Sequence, residues 1–112
     1  MTDQPRYDCA ADATMSVIEG RWKTTILCLL VSHGTLRFSE IRRMIPPISP
    51  RILTKQLREL ESDGVVDRVV SGDRPSRVEY SLTDRGRSLG PVLECLAKWG
   101  IENMFREVLQ PE

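Results

Sequence analysis

The stretch Met44-Ile45-Pro46-Pro47-Ile48-Ser49-Pro50 constrains the fold more than any other part of the chain. Adjacent prolines remove backbone donors and push the residues before them away from helical geometry, so a helix arriving at Pro46 must stop there. Just beyond, Ser49 offers a side-chain oxygen suited to an N-cap, and Pro50 brings a φ already set for the first helical turn. The chain must therefore run helix, sharp turn, helix, with almost no spacer.

Upstream of the turn, Phe38, Ile41, Met44 and Ile45 recur at helical spacing and predict a helix over 38–45 that starts near Ser39. Downstream, the spacing predicts a helix from Ser49 to about Ser62, closed by Gly64. Leu53, Leu57 and Leu60 of this helix fall within about 60° of one another on a helical wheel, while Arg51, Lys55 and Arg58 fall on the opposite side. The leucines should face a core and the cations solvent.

The rest of the chain frames this unit. Asp12 or Thr14 is expected to cap a short first helix carrying Met15, Val17 and Ile18, with Gly20 closing it. In residues 21–32, Trp22, Ile26, Leu27, Leu29, Leu30 and Val31 cover most of a helix circumference, predicting a buried central helix that ends at His33-Gly34. Thr35-Leu36-Arg37 reads as an extended link. The segments VVDRVVS and RVEYSL flank Gly72-Asp73-Arg74-Pro75-Ser76, the pattern of a two-stranded hairpin with a basic tip. Thr83-Asp84 should open a last long helix, kinked at Pro91. Its apolar stripe reaches Trp99, Met104, Phe105 and Val108, further than a small core requires, so these four are expected at a dimer interface.

With 112 residues the chain is expected to form one domain over 1–112, mainly α with a small β-hairpin, in the order of a winged helix-turn-helix. Its 16 basic and 16 acidic residues cancel, so any signal for a polyanionic partner has to come from placement. Residues 37–77 hold nine Lys or Arg against six Asp or Glu, and the flanks hold seven against ten. The basic excess thus follows the proline-started helix and the hairpin. In a winged helix-turn-helix, Ser49, Arg51, Thr54, Lys55 and Arg58 would face the major groove of double-stranded DNA, and Arg74 and Arg77 of the wing would lie along a phosphate backbone or the adjacent minor groove. The alternative is a protein-interaction module that uses the same basic face without binding DNA.

One histidine, His33, and three scattered cysteines, Cys9, Cys28 and Cys95, with no Cys-x-x-Cys, leave no ligand set for structural zinc. The odd cysteine count argues for a reducing cytoplasm rather than a disulfide-stapled secreted domain. The polar first twelve residues do not resemble a leader, and the longest apolar run, Ile26 to Val31, falls far short of the ~20 residues of a membrane span. No nucleophile elbow, phosphate loop or metal motif is present, so neither catalysis nor a cofactor is expected. Cys28 and Cys95 are expected to be buried, Cys28 in the core and Cys95 in the core or an interface. Cys9 differs, because it precedes a helix in a polar, reachable segment. There the helix dipole favours a thiolate while Asp8 and Asp12 oppose it.

The strings EGRWKTTILCLL, RFSEIRRMIPPISPRILTKQLRELESDGVVDR, RVEYSLTDRGRSL and KWG together resemble the HxlR-type family of bacterial winged helix-turn-helix transcriptional regulators, over about Cys9 to Gly100. The resemblance implies a homodimer paired through its first and last helices, bound to a palindromic operator and controlling a nearby gene. It leaves the effector unidentified. Cys9 matches the position of a cysteine that senses oxidants, quinones or aldehydes in several members, and Ala10 stands where relatives often carry proline.

Overall fold

A serine cap and a proline start the helix after the double proline, as the sequence requires. In the computed structural model, which describes residues 9–72 and 77–105, the Ser49 hydroxyl oxygen accepts a hydrogen bond from the Ile52 amide at 3.2 Å. The elements in chain order are α1 (Ala10–Ile18), α2 (Lys23–His33), β1 (Thr35–Arg37), α3 (Phe38–Met44), α4 (Pro50–Ser62), β2 (Val66–Ser71), β3 (Arg77–Leu82), α5 (Asp84–Arg87) and α6 (Gly90–Asn103). Leu53, Leu57 and Leu60 seat α4 on the core with at most 1% of their surface exposed. Each buried leucine is worth about 1.5–3 kcal/mol, which fixes which side of α4 faces inward. Ile41 of α3, with Ile45 and Ile48 of the turn, packs in the same core, so the prolines bend the chain around an apolar corner.

The strands form a three-stranded antiparallel sheet in the order β1-β3-β2. Thr35-Leu36-Arg37, expected as a link, pairs with β3 through Leu36 opposite Tyr80, a pairing too short to leave an alternating signal. In β2, Val66 lies opposite Leu82 and Arg68 opposite Tyr80. Because side chains alternate across a strand, Leu36, Tyr80 and Arg68 share one sheet face, the face that carries buried Val66 and Leu82.

Several boundaries differ from the sequence expectation. α1 begins at Ala10, with Cys9 rather than Asp12 or Thr14 at the N-cap position, because alanines are strong helix formers and extend the helix toward the terminus. Glu19 ends it, one residue before Gly20. α2 is buried on one face only, through Lys23, Ile26, Leu27 and Leu30 at helical spacing, while Cys28 and Val31 are exposed. The core reading of Cys28 is therefore wrong, since among the described residues no element buries that side of α2. Cys95 is exposed as well, which removes its core reading.

The long last helix is two helices. An added Cβ on Gly86 would sit 2.0 Å from the Val65 carbonyl oxygen, so α5 lies directly against the backbone leading into β2. The chain turns at Ser88-Leu89, and Pro91 falls in the first turn of α6, where its missing amide leaves no helical bond unmade. Pro91 thus starts a helix rather than kinking one. α6 ends at Asn103, so Met104 and Phe105 lie just past it, while Arg74 and Val108 lie outside the described residues.

Candidate nucleic-acid interface

α4 turns its polar side outward because its leucine side is fully used. Ser49, Arg51, Thr54, Lys55 and Arg58 line one shallow groove of about 840 Å³, together with Pro50, Ile52 and Glu59. Arg51, Lys55 and Arg58 are exposed, and among the described residues none of the three is ion-paired. The two hydroxyls have structural duties. Ser49 caps the helix through its oxygen and keeps its proton free to donate, whereas Thr54 Oγ1 donates to the Pro50 carbonyl at 2.8 Å and keeps only acceptor capacity. The cations are thus the strongest donors on this face.

Glu59 would weaken the positive surface if it stood alone. Its Oε1 lies 2.6 Å from Nζ of Lys23, which reaches out from the core side of α2. The hydrogen bond from Lys23 holds the Glu59 carboxyl below its usual range, outweighing the desolvation that opposes it, with the charges of Lys23 and Lys55 adding to the effect. A buried cation therefore answers Glu59, leaving Arg51, Lys55 and Arg58 as a net positive surface.

Arg77 is exposed at the wing end of β3, opposite Ser71. Strand alternation places it on the sheet face opposite that of Arg68 and Tyr80. The structure gathers five of the seven residues expected at DNA into one surface, sets Arg77 apart on the wing and leaves Arg74 outside the described residues. It also brings Arg68 of β2 beside Arg58 and Thr54 across a crease with Phe38, Glu61 and Tyr80, a neighbour that sequence reasoning passed over. In VVDRVVS, Arg68 reads as an ordinary outward strand residue, and only the register with Tyr80 reveals the face it shares.

Two further features lie away from this surface. Cys9 is exposed at the N-cap position of α1, where its carbonyl oxygen accepts the Asp12 and Ala13 amides at 3.1 and 3.4 Å and its side chain makes no capping bond. Partial burial pushes the Cys28 thiol up from its ordinary value, which favours the less reactive protonated form at neutral pH. At the other end of the chain, Leu93 is the one buried residue of α6, while Trp99 is 62% exposed, Met104 69% and Phe105 56%. A helix of 14 residues held by so little leaves an apolar face uncovered.

The sequence matches the HxlR-like helix-turn-helix family over residues 17–108. It is 45% identical over 104 residues to the HTH-type transcriptional regulator YtcD of Bacillus subtilis (strain 168), covering 93% of this chain and 82% of that protein. Its fold is similar to the reduced form of the redox regulator HypR, with a TM-score of 0.82 and 44% identity over 90% of this chain and 97% of the other. It is also similar to the quinone-bound form of YodB from B. subtilis, with a TM-score of 0.71 and 33% identity over 82% of this chain and 96% of the other.

Proposed function

From the premise that this chain belongs to the HxlR-like helix-turn-helix family of transcriptional regulators, we propose that it is a one-domain regulator that binds double-stranded DNA as a homodimer on a palindromic operator. The observation that carries this reading is the surface of α4, where exposed Arg51, Lys55 and Arg58 stand opposite a fully buried leucine row. A helix laid into the major groove needs that division, with outward cations for phosphates and base edges and an inward apolar row that holds it rigid. Arg51 and Lys55 serve as base or rim readers, Ser49 and Thr54 as short polar contacts, and Arg74 and Arg77 as wing contacts to the backbone.

Trp99, Met104, Phe105 and Val108 are assigned to the dimer interface. The support is the uncovered apolar face of α6 with Met104 and Phe105 after it; Met15 of α1 is a further exposed apolar side chain, at 42%. Two-fold pairing would place two α4 helices on half-sites related by an inverted repeat. Cys9 is assigned as the thiol through which oxidants or quinones act on binding, with the redox regulator HypR and quinone-bound YodB as the supporting relatives and its exposed N-cap position as the local support. No catalytic role or cofactor is part of this reading. No helix among the described residues is long and apolar enough to cross a membrane, and the regulator is placed in the cytoplasm with the DNA it reads.

A mobility-shift experiment with the duplex upstream of the protein's own gene tests the proposal. Wild-type protein should retard it in preference to a shuffled duplex, and Arg51→Ala with Lys55→Ala should abolish the preference. No retardation of either duplex would favour the protein-interaction module, and retardation that ignores both substitutions would move DNA binding away from this face of α4.

A further inference from the structure

We propose that the crease between α4 and β2 holds one backbone phosphate of bound DNA, gripped from the helix side by Arg58 and from the wing side by Arg68; the inference rests on the DNA-binding reading above. The crease has a volume of about 470 Å³ and is lined by Phe38, Thr54, Arg58, Glu61, Arg68 and Tyr80. Thr54, Arg58 and Glu61 are spaced along one side of α4, and Arg68 closes the opposite wall from β2.

Three observations point to a phosphodiester. Arg68 belongs to the cross-strand row Leu36, Tyr80, Arg68, whose first two members are buried, so the row directs Arg68 toward α4 rather than away from the protein. Both guanidinium groups are free of ion pairs among the described residues, although Glu61 lines the same crease. Two arginines against one glutamate leave a single surplus positive charge, the complement of one phosphodiester. Finally, Tyr80 lines the crease, and among the described residues its hydroxyl makes no hydrogen bond and is not a buried group, so it is open to solvent and able to donate.

The position of the crease selects DNA over a free anion. Thr54 and Arg58 line both the crease and the α4 groove, so the two surfaces are continuous. A duplex seated on Arg51 and Lys55 would carry its backbone past the gap between helix and wing. Arg68 then couples the wing strand to the recognition helix through a shared phosphate, fixing the angle at which α4 enters the groove.

The test measures fluorescence anisotropy of the full chain with two labelled duplexes, one from the region upstream of its gene and one shuffled, over a range of salt. Arg68→Ala should weaken binding to both duplexes by a similar factor, about tenfold, and make the salt slope shallower by about two for a dimer, one phosphate per protomer. Arg68→Lys should restore most of the slope. The losses from Arg58→Ala and Arg68→Ala should be less than multiplicative in the double variant, because both side chains hold the same group. Inorganic phosphate alone should show no saturable binding by calorimetry. An unchanged slope in Arg68→Ala, a loss confined to one duplex, multiplying losses, or saturable phosphate binding that depends on Arg68 would each overturn the assignment. Wild-type protein that binds neither duplex would instead overturn the DNA-binding reading, and the crease assignment with it.

Discussion

Lys23 Nζ lies 2.6 Å from Glu59 Oε1, so the first turn of α2 is tied directly to the outward side of the recognition helix. The lysine is 5% exposed and the neighbouring Gln56 7%, with Gln56 Oε1 lacking a hydrogen-bond partner among the described residues. Gly20 completes the joint, because an added Cβ there would sit 3.0 Å from Lys23 Cδ in a backbone at φ +141°. Trp22 between them adopts the left-handed φ of +77°, a conformation that a bulky side chain holds only when its surroundings enforce it. The loop from α1 to α2 is therefore mechanically connected to α4.

Glu59→Gln should destabilise the protein by about 1–2 kcal/mol, less than a fully buried pair would lose because the carboxylate side remains partly solvated. The pH dependence follows from the lowered Glu59 carboxyl. Its stabilisation is complete above the ordinary value of 4.5 and is lost as pH falls through the lower value of the folded state. Urea titrations between neutral and acid pH should show the variant losing less stability on acidification than the wild type.

Gly86→Ala should cost about 3 kcal/mol or prevent folding, since its Cβ would stand 2.0 Å from the Val65 carbonyl oxygen, a backbone atom that cannot step aside. Gly90→Ala serves as the control. Among the described residues nothing lies within 4 Å of its added Cβ, so its denaturation midpoint should stay close to that of the wild type.

Phe105→Glu places a charge in the apolar face that α6 leaves open. Analytical ultracentrifugation should report a dimer for the wild type at micromolar concentration and a monomer for the variant, with DNA affinity falling in parallel. A wild-type monomer would remove the interface and the inverted-repeat operator together.

Diamide or a quinone should alter DNA binding of the wild type and leave Cys9→Ser unaffected, while Cys28→Ser and Cys95→Ser still respond. Cys9 adjoins α1, whose pose would set the separation of two recognition helices across a dimer. A Cys9→Ser variant that responds like the wild type would move the switch to an exposed thiol elsewhere, Cys28 or Cys95.

The helix-turn-helix was legible because its signals are local. Ser49-Pro50 and the alternation of leucines with cations are written within one helix, and the structure places them as expected. What was hidden depends on contacts between distant segments. Cys28 looks like a core residue in ILCLLV, yet α2 is covered on one side only, and hydrophobicity alone does not say which side. The seating of α5 depends on Gly86 meeting Val65, twenty-one residues earlier in the chain, a contact that leaves no periodic trace. Lys23 reads as a solvated cation until Glu59 is brought to it, and Arg68 reads as strand surface until Tyr80 sets its face.

Whether the outward face of α4 reads duplex DNA is decided by titrating wild type and Arg51→Ala against the upstream and shuffled duplexes across salt. Log K should fall with log salt at a slope of roughly −4 to −5, for about four to six phosphates per dimer. Arg51→Ala should lose about 1–3 kcal/mol of preference for the upstream duplex, whereas Arg77→Ala should weaken both duplexes alike. A flat salt dependence, with equal affinity for both duplexes and no effect of Arg51→Ala, would contradict DNA reading by α4.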